Sequence, residues 1–462
     1  MDSGRGRKKI LLVNPWIADF AAYDLWSKPI GLLYVGKFLR RYGYDVSLLD
    51  LTDRCKWGGI KDKRFIDGRG KYFKTEIPKP EPVRFVPRKY GLYGAKKEDV
   101  INELTRIDKP DAVLITSVMT YWYPGIINTI ELLREVMGKV KIILGGIYAT
   151  LFESHARSCI NPDYIVTCYG EKKALRILDS LFDIKRDYSR IPDFDDRGML
   201  PWELYDRIDY AVILTSRGCP YRCSYCATGK LNPSFYRRPT EDVIEEIMFV
   251  KEKFGVRDFV FYDDALFYDR ENYIIPLLGE LVRRNPGVRF HTPNGLFVKE
   301  IDEVISRLMF ESGFKTIRLS VESISSEFLG RSSYKVNRAA VERAVNNLVR
   351  AGYRHSELEA YLLVGLPGQR YGDVVDSLKF MADLGVISRL SYYSPIPGTR
   401  DWEVLRQKGV MDDSSDPLLT NNTVYMYVNK ELNWEEIAEI KVLASEYNNK
   451  IRGGNGVIHG NN

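Results

Sequence analysis

The sequence lacks the features that mark a membrane or secreted protein. No uninterrupted apolar run reaches the length of about 18 residues that a membrane-spanning helix needs. The first nine residues run directly into a predicted strand, without the apolar region of a signal peptide. Of the 462 residues, 45% are hydrophobic and 28% are charged, as in ordinary soluble globular proteins. We therefore expect a cytoplasmic protein of about three domains.

The chain is also poor in the residues that many metal and nucleophilic sites require. It has four histidines, and no paired-histidine site, Walker loop or Ser-His-Asp order is present. It has six cysteines, few enough for their spacing to be informative. Three of them, Cys219, Cys223 and Cys226, fall in one short segment. In a reducing compartment such a run is more often a metal site than a set of disulfides.

Three closely spaced thiolates suit one [4Fe–4S] cluster and leave one of its irons open to another ligand. A structural zinc site would need a fourth protein ligand, usually a Cys or His a few residues from its partner. The next histidine after Cys226 is His291, which has no paired neighbour. The sequence therefore favours the iron–sulfur cluster, with a zinc knuckle or redox-inert buried thiols as the alternatives.

The CxxxCxxC spacing, with the aromatic Tyr225 before the last cysteine, resembles the cluster motif of radical S-adenosylmethionine (SAM) enzymes. In that superfamily the open iron binds the amino and carboxylate groups of SAM, and an electron from the cluster breaks the sulfonium C–S bond. The resulting 5′-deoxyadenosyl radical abstracts hydrogen from the substrate. The resemblance implies a [4Fe–4S] cluster on Cys219, Cys223 and Cys226, SAM as a cofactor, and an electron donor such as flavodoxin or ferredoxin.

Buried strand-length runs alternate with helical patterns between residues 8 and 183. Such alternation predicts an α/β domain with a doubly wound parallel sheet. Ligands of these sheets bind beyond the carboxyl ends of the strands. The fourth strand ends in Gly145 and Gly146, which let the backbone approach a ligand closely or simply make a tight turn. The predicted strands are residues 9–14, 45–50, 111–116, 141–145 and 163–167.

This domain, followed by the cluster motif, is similar to the Rossmann-like cobalamin-binding domain of B12-type radical SAM proteins. The Asp-x-His-x-x-Gly signature that supplies an axial histidine in other B12 enzymes is absent. His155, the histidine of this domain, lies after the fourth strand instead. The resemblance implies cobalamin as a further cofactor, bound without a histidine and contacted by Gly145 and Gly146. The aromatics Trp16, Trp122 and Tyr148 line a corrin pocket or fill the domain core as the alternative.

A basic insertion, residues 54–96, separates the second and third strands. It contains thirteen Lys and Arg against four Asp and Glu, whereas the whole chain nets only +6. Its prolines predict an extended excursion. Aromatic residues interleave with the basic ones, a mixture that suits a phosphate-bearing substrate, RNA or an anionic lipid surface. A solvated flap folded on the first domain is the alternative, and no RNA-binding module accompanies the charges.

A linker of residues 184–206 is expected before a second domain of residues 207–405, in which six further strand-and-helix units follow one another. They predict the partial (β/α)6 barrel that is typical of the radical SAM superfamily. In barrels the chemistry collects at the carboxyl ends of the strands. The predicted barrel strands are residues 211–215, 258–262, 288–291, 316–321, 358–363 and 389–392.

Polar side chains after these strands are the candidate SAM contacts. Asp263 and Asp264 follow the second barrel strand, where relatives place groups that receive the SAM ammonium. One is expected to face inward and the other to cap the next helix, because neighbouring strand residues point to opposite faces. Glu322 is the candidate for the ribose hydroxyls, with a salt bridge inside the barrel as the alternative. The other contacts implied by the resemblance are Tyr225, Asn294, Ser320, Gly365 and Ser394.

Residues 406–462 are expected to form a C-terminal extension with an amphipathic helix and a disordered tail. Cys55, Cys159 and Cys168 are too scattered for a second cluster. The predicted function is radical functionalisation of an unactivated carbon in a small-molecule or phosphate-bearing substrate, with methyl transfer if cobalamin binds. The alternatives are B12-independent radical C–C bond formation or rearrangement, and a non-catalytic iron–sulfur binding or sensor protein. No catalytic side chain is assigned.

Overall fold

A five-stranded sheet with helices on both faces organises the N-terminal part of the chain. The computed structural model describes residues 7–58, 65–332, 336–429 and 431–453. The first strand shows why the sheet forms, because its aliphatic side chains Ile10 to Val13 are all buried and parallel strands are covered on both faces. In chain order the elements are β1 (Lys9–Asn14), β2 (Ile17–Asp19), β3 (Tyr23–Asp24), α1 (Ile30–Arg41), β4 (Asp45–Asp50), α2 (Arg54–Trp57), β5 (Gly70–Lys71), β6 (Lys74–Glu76), β7 (Gly91–Tyr93), α3 (Lys97–Leu104), β8 (Ala112–Ile115), α4 (Tyr123–Met137), β9 (Lys141–Leu144), α5 (Ile147–Leu151), α6 (Glu153–His155), β10 (Tyr164–Ile165) and α7 (Glu171–Leu181).

The order of this sheet is β10-β9-β8-β1-β4, and every neighbouring pair is parallel. Alternate side chains of β1 enter different cores: Ile10 and Leu12 pack with Phe38 of α1, while Leu11 and Val13 belong to the larger core that continues into the second domain. The predicted doubly wound sheet is confirmed. Its strand order reverses between β1 and β8, and ligands of such sheets bind at the carboxyl ends beside the reversal.

The basic insertion is more ordered than its prolines predicted. Strands β6 and β7 pair with β2, and β5 pairs with β3, so short antiparallel sheets tie the insertion to the segment after β1. Tyr90 and Tyr93 donate hydrogen bonds to the carbonyls of Ala18 and Phe20. Part of the insertion, residues 59–64, lies outside the described residues. The pairing joins segments far apart in the chain, and so it leaves no local signal in the sequence.

Six parallel strands in sequential order, β11-β14-β15-β17-β18-β19, build the second domain, with the short β16 beside β17. The predicted partial barrel is confirmed, since helices separate the strands along the chain. The elements are β11 (Ala211–Ile213), β12 (Ser216–Arg217), α8 (Thr228–Leu231), β13 (Tyr236–Arg237), α9 (Thr240–Phe254), β14 (Asp258–Phe261), α10 (Ile275–Arg284), β15 (Arg289–His291), β16 (Leu296–Phe297), α11 (Glu303–Ser312), β17 (Phe314–Glu322), α12 (Ser326–Leu329), α13 (Arg338–Ala351), β18 (Leu358–Val364), α14 (Tyr371–Asp383), β19 (Ile387–Tyr392), α15 (Arg400–Gln407), α16 (Asn422–Val428) and α17 (Trp434–Ile451).

The segments that flank the barrel are packed rather than loose. Residues 184–206 have little regular structure, yet Trp202 is fully buried and its indole donates to Glu246 at 2.8 Å. After the barrel, α17 returns to β19, where Asn448 exchanges hydrogen bonds with the Ser388 backbone. The tail expected to be disordered includes residues 454–462, which lie outside the described residues. In the described part of the chain, no helix is both long and apolar enough to cross a bilayer.

Candidate active site

The three clustered cysteines lie in a loop that follows the first barrel strand. The strand β12 pairs antiparallel with β13 and holds the start of this loop against its return. Gly218 has a φ of 79°, and a Cβ at this position would lie 2.5 Å from the Ser234 carbonyl oxygen. Only glycine fits there, because the turn needs both a left-handed backbone and close approach.

The three thiols are close enough for their charges to interact. Burial raises the pKa of Cys219 to about 12, and the charges of Asp264 and of the other two cysteines add to the rise. Burial also raises the pKa of Cys226, whose amide donates to the Cys223 carbonyl at 3.2 Å. A bound metal centre reverses this preference, because its positive charge stabilises thiolates.

This ligand set fits an iron–sulfur cluster. Within the described residues, no three His, Cys, Asp or Glu side chains come close enough to share a single metal ion. A [4Fe–4S] cluster does not require that closeness, since each thiolate binds a different iron. Three cysteines on one loop therefore suit a cluster with one open iron.

The histidine considered as a zinc ligand is held inside the barrel. Its Nε2 lies 2.9 Å from the Asp258 carboxylate and its Nδ1 lies 2.9 Å from Thr316 Oγ1. The ring of His291 also stacks on Trp26, with centroids 4.7 Å apart. Both ring nitrogens are thus bonded within the barrel, and the face of the ring packs against the segment that follows β1.

Backbone contacts from distant segments fix the cysteine loop. The Ser224 amide donates to the Arg331 carbonyl at 2.9 Å, and the Asp401 amide donates to the Ser224 carbonyl at 3.1 Å. The Arg400 guanidinium donates to the Arg222 carbonyl at 2.6 Å. Arg331 also donates to the Pro367 carbonyl at 2.7 Å, which joins the loop to the end of β18. These residues were not among those the sequence predicted, because contacts between distant segments leave no motif.

The two neighbouring carboxylates after β14 have opposite surroundings. Asp263 is buried and accepts hydrogen bonds from Thr215 N at 3.0 Å, Thr215 Oγ1 at 2.7 Å and Ser216 Oγ at 2.5 Å. Asp264 is exposed, and desolvation by the surrounding atoms raises its pKa to about 7, with Asp263 adding to the rise. Its charge acts on Cys219, and so it is Asp264 that faces the cysteine loop. In the described part of the chain Asp264 caps no helix, contrary to the expectation for one of the pair.

The end of β17 brings a carboxylate towards the same loop. Glu322 has a φ of 63°, a left-handed conformation that costs a non-glycine residue energy and that clusters at functional sites. The Ser320 hydroxyl donates to its Oε1 at 2.5 Å. Burial raises the pKa of Tyr225 well above its ordinary value, and the charges of Glu322 and Cys223 add to the rise. Tyr225, within the cysteine loop, is therefore near enough to Glu322 for the two groups to interact electrostatically.

The other candidates at the strand ends contact protein groups. The Asn294 side chain is exposed and donates to the Tyr262 and Asp263 carbonyls at 2.9 and 3.2 Å. Gly365 has a φ of 89°, and a Cβ there would lie 2.6 Å from the terminal methyl of Met426. The Ser394 hydroxyl donates to the Thr420 carbonyl.

At the N-terminal sheet, the glycine pair lets two loops touch. Gly146 has a φ of 98°, and a Cβ there would lie 2.3 Å from the Ser117 carbonyl oxygen. The Ile147 amide donates to that oxygen at 2.6 Å, and the Ser117 hydroxyl donates to the Gly145 carbonyl at 2.6 Å. The carboxyl ends of β8 and β9 are thereby joined through main-chain atoms.

The aromatic candidates of this domain are bonded within the protein. The indole nitrogen of Trp16 donates to the Ala95 carbonyl at 2.7 Å, and that of Trp122 donates to Asp19 at 2.7 Å. Tyr148 is fully buried, and its hydroxyl lies 2.7 Å from Nδ1 of His155. Burial lowers the pKa of His155 and so favours its neutral form.

The carboxyl edges of the two domains meet. Thr120, after β8 of the first domain, hydrogen-bonds Thr420 at 2.8 Å between the side chains. Ser394, after β19 of the barrel, donates to the carbonyl of the same Thr420. The strand ends of both sheets are thus connected through the buried segment before α16.

A buried ion triad also joins the domains directly beside the cysteine loop. Arg217 lies 2.7 Å from Glu171 at the start of α7 and 2.5 Å from Asp196 of the linker. All three side chains are largely buried. Burial raises the pKa of Asp196, and the Arg217 charge opposes that rise. The triad fixes the loop of the barrel relative to the first domain.

A doubly wound parallel domain facing a partial barrel that carries a three-cysteine loop defines a radical SAM protein of the B12-binding type. The family model described as "Radical SAM superfamily" matches residues 213–381. The family model described as "B12 binding domain" matches residues 89–178. The chain accordingly carries a radical SAM domain and a B12-binding domain, and radical SAM enzymes use a [4Fe–4S] cluster and SAM.

Two relatives cover most of the chain. The cytidylyl-2-hydroxyethylphosphonate methyltransferase of Streptomyces wedmorensis is 23% identical over 96% of this chain and 90% of its own length. An uncharacterised methyltransferase of Pyrococcus horikoshii is 22% identical over 67% of this chain and 73% of its own.

A solved structure shares the fold. The radical SAM methyltransferase TsrM of Kitasatospora setae, with tryptophan and a SAM analogue bound, has a TM-score of 0.66 and 18% sequence identity. The match covers 87% of this chain and 76% of that one. The likeness establishes the two-domain fold.

Proposed function

We propose that this radical SAM enzyme transfers a methyl group to an unactivated carbon with the help of cobalamin. The observation that carries the proposal is the double contact at Thr420, which Thr120 reaches from the first domain and Ser394 from the barrel. Ligands of both architectures bind at the carboxyl ends of the strands. A cofactor at the strand ends of the barrel and a cofactor at the strand ends of the first domain would therefore lie at the same domain interface.

In this proposal Cys219, Cys223 and Cys226 hold the cluster. The exposed Asp264, beside the cysteine loop, accepts a hydrogen bond from the SAM ammonium. Glu322 accepts from the ribose hydroxyls, and Tyr225 packs between them. Asn294, Ser320, Gly365 and Ser394 complete the candidate SAM surface, while Asp263 positions the strand end through Thr215 and Ser216.

Cobalamin is proposed to bind at the joined carboxyl ends of β8 and β9. The main chain at Gly145 is partly accessible and that at Gly146 is exposed, and the glycine at 146 lets the loop pack against Ser117, where a Cβ would collide with the carbonyl oxygen. When bound, the cluster supplies the electron that cleaves SAM and cobalamin supplies the methyl group. The residues of this chain contribute oriented cofactors and exclusion of water from the radical. We keep residues 8–183 and 207–405 as the two functional units.

The substrate is proposed to be a small molecule that bears phosphate or phosphonate. The relative from Streptomyces wedmorensis carries both a phosphonate and a nucleotide in its substrate's name. The basic surplus of residues 54–96 provides charge of the matching sign. An acidic one-electron donor such as flavodoxin or ferredoxin, and a reducing cytoplasm, complete the proposal.

The test is anaerobic reconstitution with iron, sulfide, cobalamin and SAM bearing a deuterated methyl group. After addition of a reductant, we expect 5′-deoxyadenosine, and the deuterated methyl on the bound cobalamin. Formation of 5′-deoxyadenosine without any cobalamin uptake would instead support B12-independent radical chemistry. A cluster-loaded protein that never consumes SAM would support the sensor interpretation.

A further inference from the structure

A patch of basic and aromatic side chains lies where the insertion meets the C-terminal helices. It consists of Phe85 and Arg88 from the insertion, Tyr427 of α16, and Trp434 and Lys441 of α17. These five residues form the basic–aromatic patch. We propose that this patch binds a phosphate-bearing nucleotide.

The two cations of the patch interact electrostatically. Burial lowers the pKa of Lys441, and the charge of Arg88 lowers it further. Arg88 donates to Thr423 Oγ1 at 3.5 Å, and in the described part of the chain neither cation forms an ion pair with a carboxylate. Neighbouring like charges repel unless an anion offsets them, and phosphate is the anion that Arg and Lys side chains bind well.

The exposed rings of the patch favour a nucleotide over inorganic phosphate as the ligand. Phe85 is 52% exposed and Trp434 is 44% exposed. The Tyr427 ring joins them, with centroids 6.2 Å from Phe85 and 4.3 Å from Trp434. The Lys441 ammonium lies 5.8 Å from the Trp434 centroid. Exposed rings next to cations hold the flat base and the charged phosphate of a nucleotide together.

A cavity and the helix α16 adjoin the patch at Arg88. The cavity, of about 390 Å³, is lined by Arg88 but by no other patch residue, and the ion pair of Glu76 and Lys89 also lines it. The helix α16 contacts Arg88 through Thr423, and one turn later its Met426 covers Gly365 at the end of β18. A nucleotide here lies one helix away from the candidate SAM surface. The identification of this nucleotide with part of the substrate rests on the proposed function, whereas its binding does not.

Binding is tested on the full-length reconstituted protein without SAM or reductant. Cytidine 5′-diphosphate is titrated while tryptophan fluorescence is recorded, and Trp434→Phe identifies the contribution of that ring. We expect a saturable change that disappears in Trp434→Phe, although equilibrium dialysis still detects binding. The double variant Arg88→Gln/Lys441→Gln should weaken binding by about tenfold or more. Lys139→Gln, an exposed cation of the first domain, is the matched control and should bind as the parent does.

Three results would overturn the proposal. The first is equal affinity in the parent and the Arg88→Gln/Lys441→Gln variant. The second is equal affinity for inorganic phosphate and for cytidine 5′-diphosphate. The third is binding of single-stranded RNA that the nucleotide does not displace. A protein that cleaves SAM without binding the nucleotide contradicts this inference alone, and the reverse result contradicts the proposed function alone.

Discussion

The carboxyl edge of the barrel and the carboxyl edge of the N-terminal sheet differ in how they are built to hold a ligand. At the barrel edge, reactive side chains converge: the three thiols, the desolvated Asp264 and the left-handed Glu322. At the N-terminal edge, the main chain is exposed instead, and Gly146 lets two loops touch. The difference explains why the barrel edge leaves a motif in the sequence, whereas the N-terminal edge leaves only a glycine pair.

Removal of the cluster ligands at the barrel edge should have the largest effect, a complete loss of SAM cleavage. The triple variant Cys219→Ala/Cys223→Ala/Cys226→Ala should lose the cluster and all SAM cleavage, because it removes all three proposed iron ligands. Iron analysis and Mössbauer spectroscopy of the parent should give about four irons per chain. Cys159→Ala, an exposed cysteine outside the loop, should keep them. Stoichiometric zinc in the parent, or a cluster that survives in the triple variant, would refute the assignment.

Disruption of the buried ion triad that connects the two domains should have the next largest effect, a loss of stability. Arg217→Met leaves Glu171 and Asp196 buried without their cation, and removal of one partner from a buried pair costs about 3–5 kcal/mol. Urea unfolding measures the change in the free energy of unfolding. Arg207→Met is the matched control, because its pair with Asp209 is solvent-exposed on the arginine side and such pairs contribute about 1 kcal/mol or less. Equal losses in the free energy of unfolding of the two variants would show that the triad does not hold the two domains together.

Much of the barrel edge was predictable, and the reason is local. The cysteine spacing lies within one loop, and alternating strands and helices repeat along the chain. Strand alternation predicted that Asp263 and Asp264 face opposite ways, but only the contacts of Thr215 and Ser216 decide which one is buried. The pattern could not supply that choice, since it depends on a neighbouring strand.

The unpredicted features all depend on contacts between distant segments. Arg331 reaches the cysteine loop and the end of β18 at once, and nothing in its local sequence signals this. The insertion looked extended because its prolines are local, whereas its pairing with β2 and β3 is not. The basic–aromatic patch likewise combines residues from three separate segments.

Two carboxylates at the barrel edge are expected to have different roles, one in SAM binding and the other in stability. Glu322→Gln should weaken SAM binding by about tenfold or more, because a charge-assisted hydrogen bond contributes about 1.5–3 kcal/mol. Asp263→Asn should mainly lower the unfolding temperature, since an amide cannot accept all the hydrogen bonds from Thr215 and Ser216. Equilibrium dialysis with SAM and the cluster absorbance separate the two effects. Normal SAM binding by Glu322→Gln would show that the ribose assignment is wrong.

A smaller effect is expected from the titration of Asp264. Its pKa is about 7 in the folded chain and about 3.9 in an unfolded one. The folded state therefore holds the proton longer, and stability falls as pH rises from about 4 to about 7. Asp264→Asn removes this loss, so its unfolding temperature relative to the parent should rise over that window. Because solvent reaches the carboxyl, screening keeps the change small. A difference that is independent of pH would contradict the raised pKa of Asp264.

The smallest expected effect tests whether the N-terminal edge uses any side-chain ligand for cobalt. His155 is the histidine of this domain, and its Nδ1 is engaged by the Tyr148 hydroxyl at 2.7 Å, while its Nε2 lies 4.0 Å from Asp416. We expect the EPR spectrum of the cob(II)alamin form to lack nitrogen splitting from histidine, and to be the same in His155→Ala. His355→Ala, outside this domain, is the control. If the parent shows a splitting that disappears only in His155→Ala, the two edges hold their cofactors alike, through side chains.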